Sequence, residues 1–293
     1  MTLREKIRRG KHVPFPIGLA LGVLTPFTRL GMWWRLLWRP VKVSAYVISF
    51  GNLTAGGTGK TPAVIERAQA EIEKGKTVAV LTRGYGAPET EKPLSSPNVP
   101  PGERAEMLGD EPALILERVP DVYVVKFPDR VAAAREAIKK FQCDVLILDD
   151  GFQNVRLHRD ENVLLVDASD PFGNGHVLPR GVLREPLTAM KRATHIVLTR
   201  CDQAKDLPAL EATVRRHAPD AAIRKTIHQP RGLIHVGKGK EVELAELKSG
   251  EWTAACAIGN PESFFATLRG LGATLTETIA LPDHADDIEE YLP

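Results

Sequence analysis

A glycine-rich loop that joins an apolar strand to a helix constrains this chain more than any other sequence feature. Residues 51–62 read Gly-Asn-Leu-Thr-Ala-Gly-Gly-Thr-Gly-Lys-Thr-Pro, and they follow the β-rich run over residues 45–50. A strand, such a loop and a helix in this order form a P-loop, in which backbone N–H groups and the helix N-terminus bind phosphate oxygens. The segment therefore predicts a protein that binds a nucleotide at the end of its first strand.

Individual residues of this loop have predictable roles. Lys60 is expected to reach the β and γ phosphates, and Thr61 is expected to bind Mg²⁺ through its hydroxyl. Thr54 stands where the motif usually has its first glycine, five residues before Gly59, so the loop begins differently here. The residues expected to bind the nucleotide are Thr54, Ala55, Gly56, Gly57, Thr58, Gly59, Lys60 and Thr61.

The second half of the same site is expected where an apolar strand ends in acids. Residues 145–148 are Val-Leu-Ile-Leu, and Asp149 and Asp150 follow them directly. In P-loop enzymes an aspartate at this place holds Mg²⁺ opposite the loop. The spacing leaves open which of the two binds the metal, and paired acids at a strand end can also cap the next turn.

Short apolar runs alternate with helical stretches along the chain. Such alternation predicts an α/β fold of the P-loop NTPase type, with a mostly parallel sheet and helices on both faces. Helices are expected to begin at Pro62, near Glu111 and near Asp129, whereas residues 88–101 and 202–208 are expected to form surface loops. The predicted strands cover residues 45–50, 77–82, 122–126, 144–149, 163–167 and 195–199.

Three segments are predicted along the chain. Residues 1–42 form an N-terminal helical segment at a membrane interface, and residues 43–220 form the nucleotide-binding domain. Residues 221–293 form linker strands and a smaller C-terminal α/β lobe. The elements expected there are strands over 223–227 and 233–236 that form a two-stranded connection, a strand over 253–258 and a helix over 261–271.

The membrane prediction rests on the first 42 residues. They hold nine Lys or Arg and one Glu, although the whole chain has a net charge of only +2. Residues 12–28 contain no charged side chain, but three prolines interrupt them, and they fall short of the roughly 20 apolar residues of a membrane span. An anionic membrane surface is therefore the expected partner, and a helix packed on the protein's own core is the alternative. Tryptophans and arginines interleave, as is typical of the headgroup layer, at Trp33, Trp34, Arg35, Trp38 and Arg39.

The composition limits which cellular compartment and which partners are expected. The three cysteines are scattered and suit the cytosol rather than a disulfide framework. The net charge of +2 gives no reason to expect a nucleic-acid partner. The oligomeric state is not predictable from the sequence.

A P-loop by itself does not identify the nucleotide. Residues 199–202, Thr-Arg-Cys-Asp, follow a predicted strand and resemble the segment with which GTPases bind guanine. Arg200 stands at the position of a lysine in that segment. A GTP-hydrolysing switch or a metallochaperone-like GTPase is therefore the alternative function, although the sequence lacks metal-delivery cysteines and a histidine-rich tract.

Seven ordered motifs resemble those of the tetraacyldisaccharide 4'-kinases, the kinase family of lipid A synthesis. They extend over nearly the whole chain from Ser44 onward. The resemblance implies transfer of the γ-phosphoryl group of ATP, with Mg²⁺, to the 4'-hydroxyl of a tetraacylated, lipid-linked glucosamine disaccharide 1-phosphate. It also implies a location at the cytosolic face of the bacterial inner membrane. The motifs occupy residues 51–62, 82–86, 109–112, 149–153, 178–186, 258–261 and 282–284.

The resemblance further implies a catalytic pair. Asp110 is the expected base for the acceptor hydroxyl and His284 is its expected partner, so the substrate would lie between the two lobes. From the residues alone, Asp110 equally suits the N-cap of a helix, and His284 suits an exposed loop. The expected catalytic set is Asp110, His284, Lys60, Asp149 and Asp150.

Arginines in these segments suit anionic groups because the planar guanidinium group binds phosphate oxygens in pairs. They are candidates for the γ-phosphate or for the phosphate that the acceptor already carries, and surface ion pairs are the alternative. The residues expected to bind or orient the substrate are Asn52, Arg83, Glu111, Arg130, Gln153, Arg180 and Arg184.

Two departures from the family pattern affect these expectations. Asn154 stands where a histidine commonly follows the Asp-Gly-Phe-Gln turn. Family members also usually continue through a further strand with a Thr-x-Lys-Asp segment, which has no counterpart before Pro293. We therefore expect the second lobe to be shortened or incomplete.

Overall fold

A computed structural model of the chain describes residues 31, 34, 37–54, 58–227, 229–258 and 261–281. Several predictions lie outside these residues: most of the N-terminal segment, the loop residues Ala55, Gly56 and Gly57, and the catalytic candidate His284. None of the helices in the described part of the chain is long and apolar enough to span a bilayer.

An eight-stranded sheet forms the centre of the molecule. Its strands are β1 (Tyr46–Asn52), β2 (Val78–Thr82), β3 (Leu94–Ser95), β4 (Tyr123–Lys126), β5 (Val145–Leu148), β6 (Glu161–Asp167), β7 (His195–Thr199) and β8 (Ala222–Lys225). They lie in the order β3-β4-β2-β5-β1-β6-β7-β8. All neighbours pair in parallel except β3, which pairs antiparallel with β4. The predicted mostly parallel sheet and its six predicted strands are confirmed.

Helices connect the parallel strands. They are α1 (Lys60–Glu73), α2 (Arg104–Leu108), α3 (Asp110–Arg118), α4 (Arg130–Phe141) and α5 (Leu207–His217). The carboxylate of Asp129 accepts hydrogen bonds from the first N–H groups of α4, and Asp206 does the same for α5. The first helix begins at Lys60, two residues before the predicted start at Pro62, because Gly59 takes the left-handed backbone conformation at the N-cap.

The central strands are buried on both faces. Along β1, Val47 packs in one apolar cluster with Leu81 and residues of α4, whereas Ile48 packs in another with Val80 and residues of α1 and α3. Alternate side chains of a strand point to opposite faces, so helices cover two apolar layers. The loops that follow the parallel strands therefore meet at one edge of the sheet, the carboxyl edge.

Both predicted surface loops contain regular structure. Residues 88–101 include the edge strand β3, whose Leu94 and Ser95 pair with Lys126 and Val125 of β4. Residues 202–208 overlap a 3₁₀ turn and the start of α5 at Leu207. The proline content of the first segment predicts a loop, but Pro is tolerated beside a short edge strand.

The predicted two-stranded connection is wrong. Residues of β8 pair in parallel with β7, so this strand extends the main sheet through the crossover that α5 provides. The next strand, β9 (Leu233–His235), pairs instead with β10 (Lys240–Val242), which the sequence did not predict.

A second small α/β unit follows. It contains β11 (Glu251–Cys256), α6 (Pro261–Gly270) and β12 (Thr274–Ala280), and its two strands pair in parallel. Phe265 of the helix packs against Ala254 and Cys256 of the first strand. The predicted strand and helix of this region are confirmed, and β12 is an addition. The division of the chain at residues 42 and 220 stays a prediction.

Candidate functional site

The loop after β1 and the acids after β5 lie side by side because these two strands are neighbours in the sheet. The Nζ of Lys60 lies 3.6 Å from an oxygen of Asp150 and 3.5 Å from Oδ1 of Asn52. The P-loop lysine and the acidic strand end therefore lie next to each other, and their predicted roles toward phosphate and Mg²⁺ stay predictions.

Neighbouring segments fix both ends of the P-loop. At its start, the N–H of Arg184 donates to the carbonyl of Leu53 at 2.6 Å, and Thr54 forms a β-bridge with Leu183. At its other end, Thr58 is buried and its carbonyl accepts a hydrogen bond from the hydroxyl of Thr199 at 3.3 Å. The segment over residues 178–186 thus forms one wall of the site.

Asp150 is held in its charged form. Its carboxylate accepts a hydrogen bond from Nη1 of Arg184 at 2.6 Å and lies beside Lys60. Burial raises the pKa of Asp150, but the charges of Lys60 and Arg184 outweigh burial and hold the pKa below its usual value.

Asp149 has the opposite electrostatic character. Its side chain is 2% exposed, and its Oδ1 has no hydrogen-bond partner among the described residues. Burial, together with the nearby charges of Glu111 and Asp150, raises the pKa of Asp149 to about 7 against the opposing effects of Lys60 and Arg130. A buried carboxylate with one unsatisfied oxygen is suited to a cation.

The site therefore fits a magnesium ion that a nucleotide brings with it. Asp149, Asp150 and the hydroxyl of Thr61 are oxygen donors of the kind that Mg²⁺ prefers. Over the described ranges, no cluster of three or more His, Cys, Asp or Glu could hold a metal alone. The donor set matches a metal that completes its coordination with water and phosphate oxygens, and it does not match a permanent metal cage.

Asn52 and Gln153 join the P-loop to the acidic turn. The side-chain amide of Asn52 donates to the carbonyl of Thr54 at 2.8 Å, and that of Gln153 donates to the carbonyl of Asn52 at 2.9 Å. A side chain at Gly51 would not fit, since its Cβ would lie 2.6 Å from the Cβ of Phe152. These contacts hold the P-loop against the acidic turn. The predicted contact of Asn52 and Gln153 with the substrate stays a prediction.

Two of the four candidate arginines follow strands that lie across β5 from the P-loop strand β1: Arg83 follows β2, and Arg130 begins the helix after β4. Arg130 is buried and donates to the carbonyl of Phe127 at 2.6 Å. Burial, with a contribution from the positive charge of nearby Arg83, lowers the pKa of Arg130 to about 10, although Asp149 and Asp150 act against this decrease. Arg180, in contrast, is exposed and forms no ion pair with a described residue.

Asp110 and Glu111 begin α3 at the same edge of the sheet. Gly109 occupies the N-cap position, and no side chain caps the helix. The alternative that Asp110 is an N-cap is therefore wrong, because the helix starts one residue earlier than that alternative requires. Both acids are exposed, and Glu111 lies near enough to Asp149 for its charge to affect the pKa of that residue.

A group of charged residues around Phe152 was not predicted. Glu185 is buried, and Arg159 and Arg192 are partly buried. The guanidinium of Arg192 lies 4.7 Å from the ring centre of Phe152 and pairs with Glu185. Arg159 donates to the carbonyl of Phe152 at 3.1 Å. The sequence contains one signal for this group, the position of Glu185 within the motif over residues 178–186. The contacts of Arg159 and Arg192 with Phe152 join segments that no local pattern connects.

The family model described as tetraacyldisaccharide-1-P 4'-kinase matches residues 15–290 of the chain. A tetraacyldisaccharide 4'-kinase of Syntrophus aciditrophicus is 38% identical over 309 residues, which cover 97% of this chain and 82% of that protein. The enzyme of the same name from Anaeromyxobacter sp. strain K is 40% identical over 247 residues, with 83% of this chain and 65% of that protein covered.

A solved structure is also similar. The crystal structure of LpxK from Aquifex aeolicus in complex with ATP is 30% identical in sequence and superposes with a TM-score of 0.66. The match covers 94% of this chain and 85% of that one.

The two adjacent aspartates should respond oppositely to neutralisation. We expect Asp149→Asn to stabilise the nucleotide-free protein at pH 8 by about 1–3 kcal/mol, because the raised folded pKa disfavours the charged form. In the wild type, neutral Asp149 stabilises the folded protein. This stabilisation is lost as the pH rises from about 4, the usual pKa of Asp, to about 7, the pKa in the folded protein. The gain should therefore be small at pH 5. Urea unfolding at both pH values, with a chelator present, measures it.

Asp150→Asn is the matched control. Its pKa is lowered in the folded protein, so its charge stabilises the fold above the ordinary carboxyl pKa, and the variant should be less stable than wild type at pH 8. Equal effects of the two substitutions at pH 8 would contradict the assignment.

Proposed function

The chain belongs to the tetraacyldisaccharide 4'-kinase family, and we propose that its P-loop site carries out the reaction for which that family is named. ATP is the phosphoryl donor. The acceptor is the 4'-hydroxyl of a tetraacylated glucosamine disaccharide 1-phosphate, a precursor of lipid A. The observation that carries this proposal is Lys60 beside the Asp149–Asp150 pair, in a chain that matches the family model over residues 15–290.

Charge neutralisation is the first task of the site. The loop N–H groups and Lys60 bind the phosphates of ATP, and Lys60 exchanges its contact with Asp150 for phosphate oxygens. Asp149, Asp150 and Thr61 would hold Mg²⁺, which neutralises charge on the β and γ phosphates when bound. Asn52 and Gln153 keep the loop and the acidic turn at a fixed distance.

The arginines bind the groups that flank the transferred phosphoryl. Arg83 follows β2 and Arg130 follows β4, on one side of β5 in the sheet, whereas Arg184 contacts Asp150 from the wall formed by residues 178–186. Guanidinium groups on two sides favour an in-line arrangement of donor and acceptor, since they fix the γ-phosphate between them. Glu111 contacts the substrate, and the exposed Arg180 is assigned to the phosphate that the acceptor already carries.

Proton removal is the second task. The acceptor hydroxyl loses its proton as the new P–O bond forms, and Asp110 at the start of α3 is the base. His284 is its partner and lies outside the described residues. Asp110 belongs to the nucleotide-binding domain and His284 follows the small C-terminal unit in sequence, so this pair would place the acceptor between the two.

The GTPase alternative is less well supported. In the structure the hydroxyl of Thr199 donates to the P-loop carbonyl of Thr58, and the buried Arg200 pairs with Asp167. The position equivalent to the guanine-clamp lysine is thus engaged in an internal ion pair. Family membership favours ATP for the same site.

The N-terminal segment brings the enzyme to its lipid substrate. Trp34 and Leu37 are 69% and 59% exposed, and Trp38 lies under the guanidinium of Arg156 at 5.2 Å from the ring centre. Exposed tryptophans next to basic residues favour the interface of an anionic bilayer over packing on the core. We assign residues 1–42 to the cytoplasmic face of the inner membrane.

Labelled ATP and the disaccharide acceptor test the reaction directly. We expect wild-type protein to transfer the γ-phosphoryl group, and Lys60→Ala to lose roughly 10²–10³-fold in kcat/KM because a preorganised charge is removed. Lys140→Ala on the exposed face of α4 is the control and should retain full activity. Faster turnover of GTP than of ATP, independent of the acceptor, would establish the GTPase alternative instead.

The base assignment makes a separate prediction. Asp110→Asn should lower kcat at saturating acceptor by about 10²–10⁴-fold, with little change in the KM for ATP, because general-base catalysis is lost. His284→Ala should lower kcat as well, and the double variant should be no worse than the poorer single one. Asp121→Asn, at an exposed turn, is the control. Near-normal kcat in both single variants would rule out the pair.

Membrane binding is measured with vesicles of anionic phospholipid. We expect Trp34→Ser/Leu37→Ser to weaken co-sedimentation by about tenfold or more, because two apolar side chains no longer insert. Ile227 and Ile234 are exposed to a similar extent, at 60% and 68%, far along the chain. Their double substitution by serine is therefore the control, and an equal loss in both variants would contradict a specific N-terminal anchor.

A further inference from the structure

A buried lysine contacts two segments of the site and has no role in the mechanism above. Lys126 is the last residue of β4 and is only 2% exposed. Its Nζ donates to the carbonyl of Pro88 at 2.8 Å and to the carbonyl of Met107. Its charge forms no salt bridge with a carboxylate of the described part of the chain. Because burial of a charged group without a counter-charge is costly, the position requires an explanation.

The two carbonyls belong to the two segments that carry Arg83 and Asp110. Pro88 closes the loop that follows β2, and Met107 lies in α2 just before Gly109 and the start of α3. The segments also touch through their backbones, since a Cβ on Gly109 would lie 3.2 Å from the carbonyl oxygen of Tyr85. The lysine therefore joins two pieces of the site that β-sheet hydrogen bonds do not connect.

The aliphatic part of the side chain is equally confined. Gly84 has a φ of +68°, and a Cβ there would lie 2.1 Å from Cδ of Lys126 and 2.9 Å from the carbonyl oxygen of Leu108. Only glycine at this position leaves room for the lysine stem. Gly86, two residues further, has a φ of +81° but open space around its Cβ position.

We propose that Lys126 is a positioning residue for phosphoryl transfer, which holds the Arg83 loop and the Asp110 helix start together against the acidic pair. It touches neither nucleotide nor acceptor, and its two hydrogen bonds set the distance between the residues that do. This inference rests on the proposed kinase function, because Asp110 and Arg83 have their assigned roles only in that reaction.

Lys126→Met removes the two hydrogen bonds and keeps most of the stem. The expected result is a 10- to 100-fold lower kcat with the disaccharide acceptor, while the Kd for ATP changes less than threefold, since the P-loop is attached to a different strand. Amide hydrogen exchange should become faster over residues 82–88 and 104–111 and remain unchanged in α1. A purely structural role would lower the melting temperature without this selective loss of kcat.

Gly84→Ala tests the same contact from the other side. It should reproduce the loss of kcat, whereas Gly86→Ala imposes a similar backbone strain without touching Lys126 and should not. The Lys126→Met/Gly84→Ala double variant should be no slower than the poorer single variant, because both act through one contact. If Lys126→Met does not fold, the comparison of Gly84→Ala with Gly86→Ala still tests the positioning role.

The possible results distinguish a failure of the positioning role of Lys126 from a failure of the proposed kinase function. A wild-type protein that transfers phosphate, with Lys126→Met or Gly84→Ala within twofold of its kcat, overturns the positioning role alone. Equal losses in Gly84→Ala and Gly86→Ala also overturn it. A wild-type protein that transfers no phosphate to the disaccharide overturns the proposed function, and the inference with it.

Discussion

Parallel pairing between β1 and β5 is the constraint on which the site depends. Ser49 lies opposite Leu148 in this register, so the P-loop and the two aspartates leave the sheet next to each other. The segments are also joined directly, because the N–H of Gly151 donates to the carbonyl of Phe50 at 2.7 Å. A different neighbour for β1 would separate Lys60 from the acids, and neither half could then bind a metal–triphosphate complex.

Electrostatics at this edge follow from how each acid is surrounded. Asp150 lies beside two positive groups, Lys60 and Arg184, whereas Asp149 is almost fully buried, and there burial and the charges of Glu111 and Asp150 outweigh Lys60 and Arg130. Adjacent residues in the sequence therefore have pKa values that are shifted in opposite directions. The same surroundings that disfavour a charge on Asp149 favour a cation beside it, which suits a site for metal-bound phosphates.

Much of the fold was predictable because its signals are local. Strands buried on both faces appear in the sequence as apolar runs, and the loop of glycines is recognisable from residue types alone. The predictions that failed depended on partners far away in the sequence. Leu94 and Ser95 become a strand only because β4 offers a free edge, and β8 joins the main sheet because α5 crosses over it.

Local patterns in the sequence were enough to predict six of the eight strands of the main sheet, the phosphate loop and the acidic strand end, since each of these signals lies within one short segment. The contacts of the folded sheet were needed to pair Arg184 with Asp150, to bring Arg130 near both acids, and to leave Arg180 exposed. The folded structure also places Lys126 in contact with the segments that carry Arg83 and Asp110. The physical reason is that burial and pairing of charges depend on contacts between distant segments, which the folded sheet creates and no local pattern encodes.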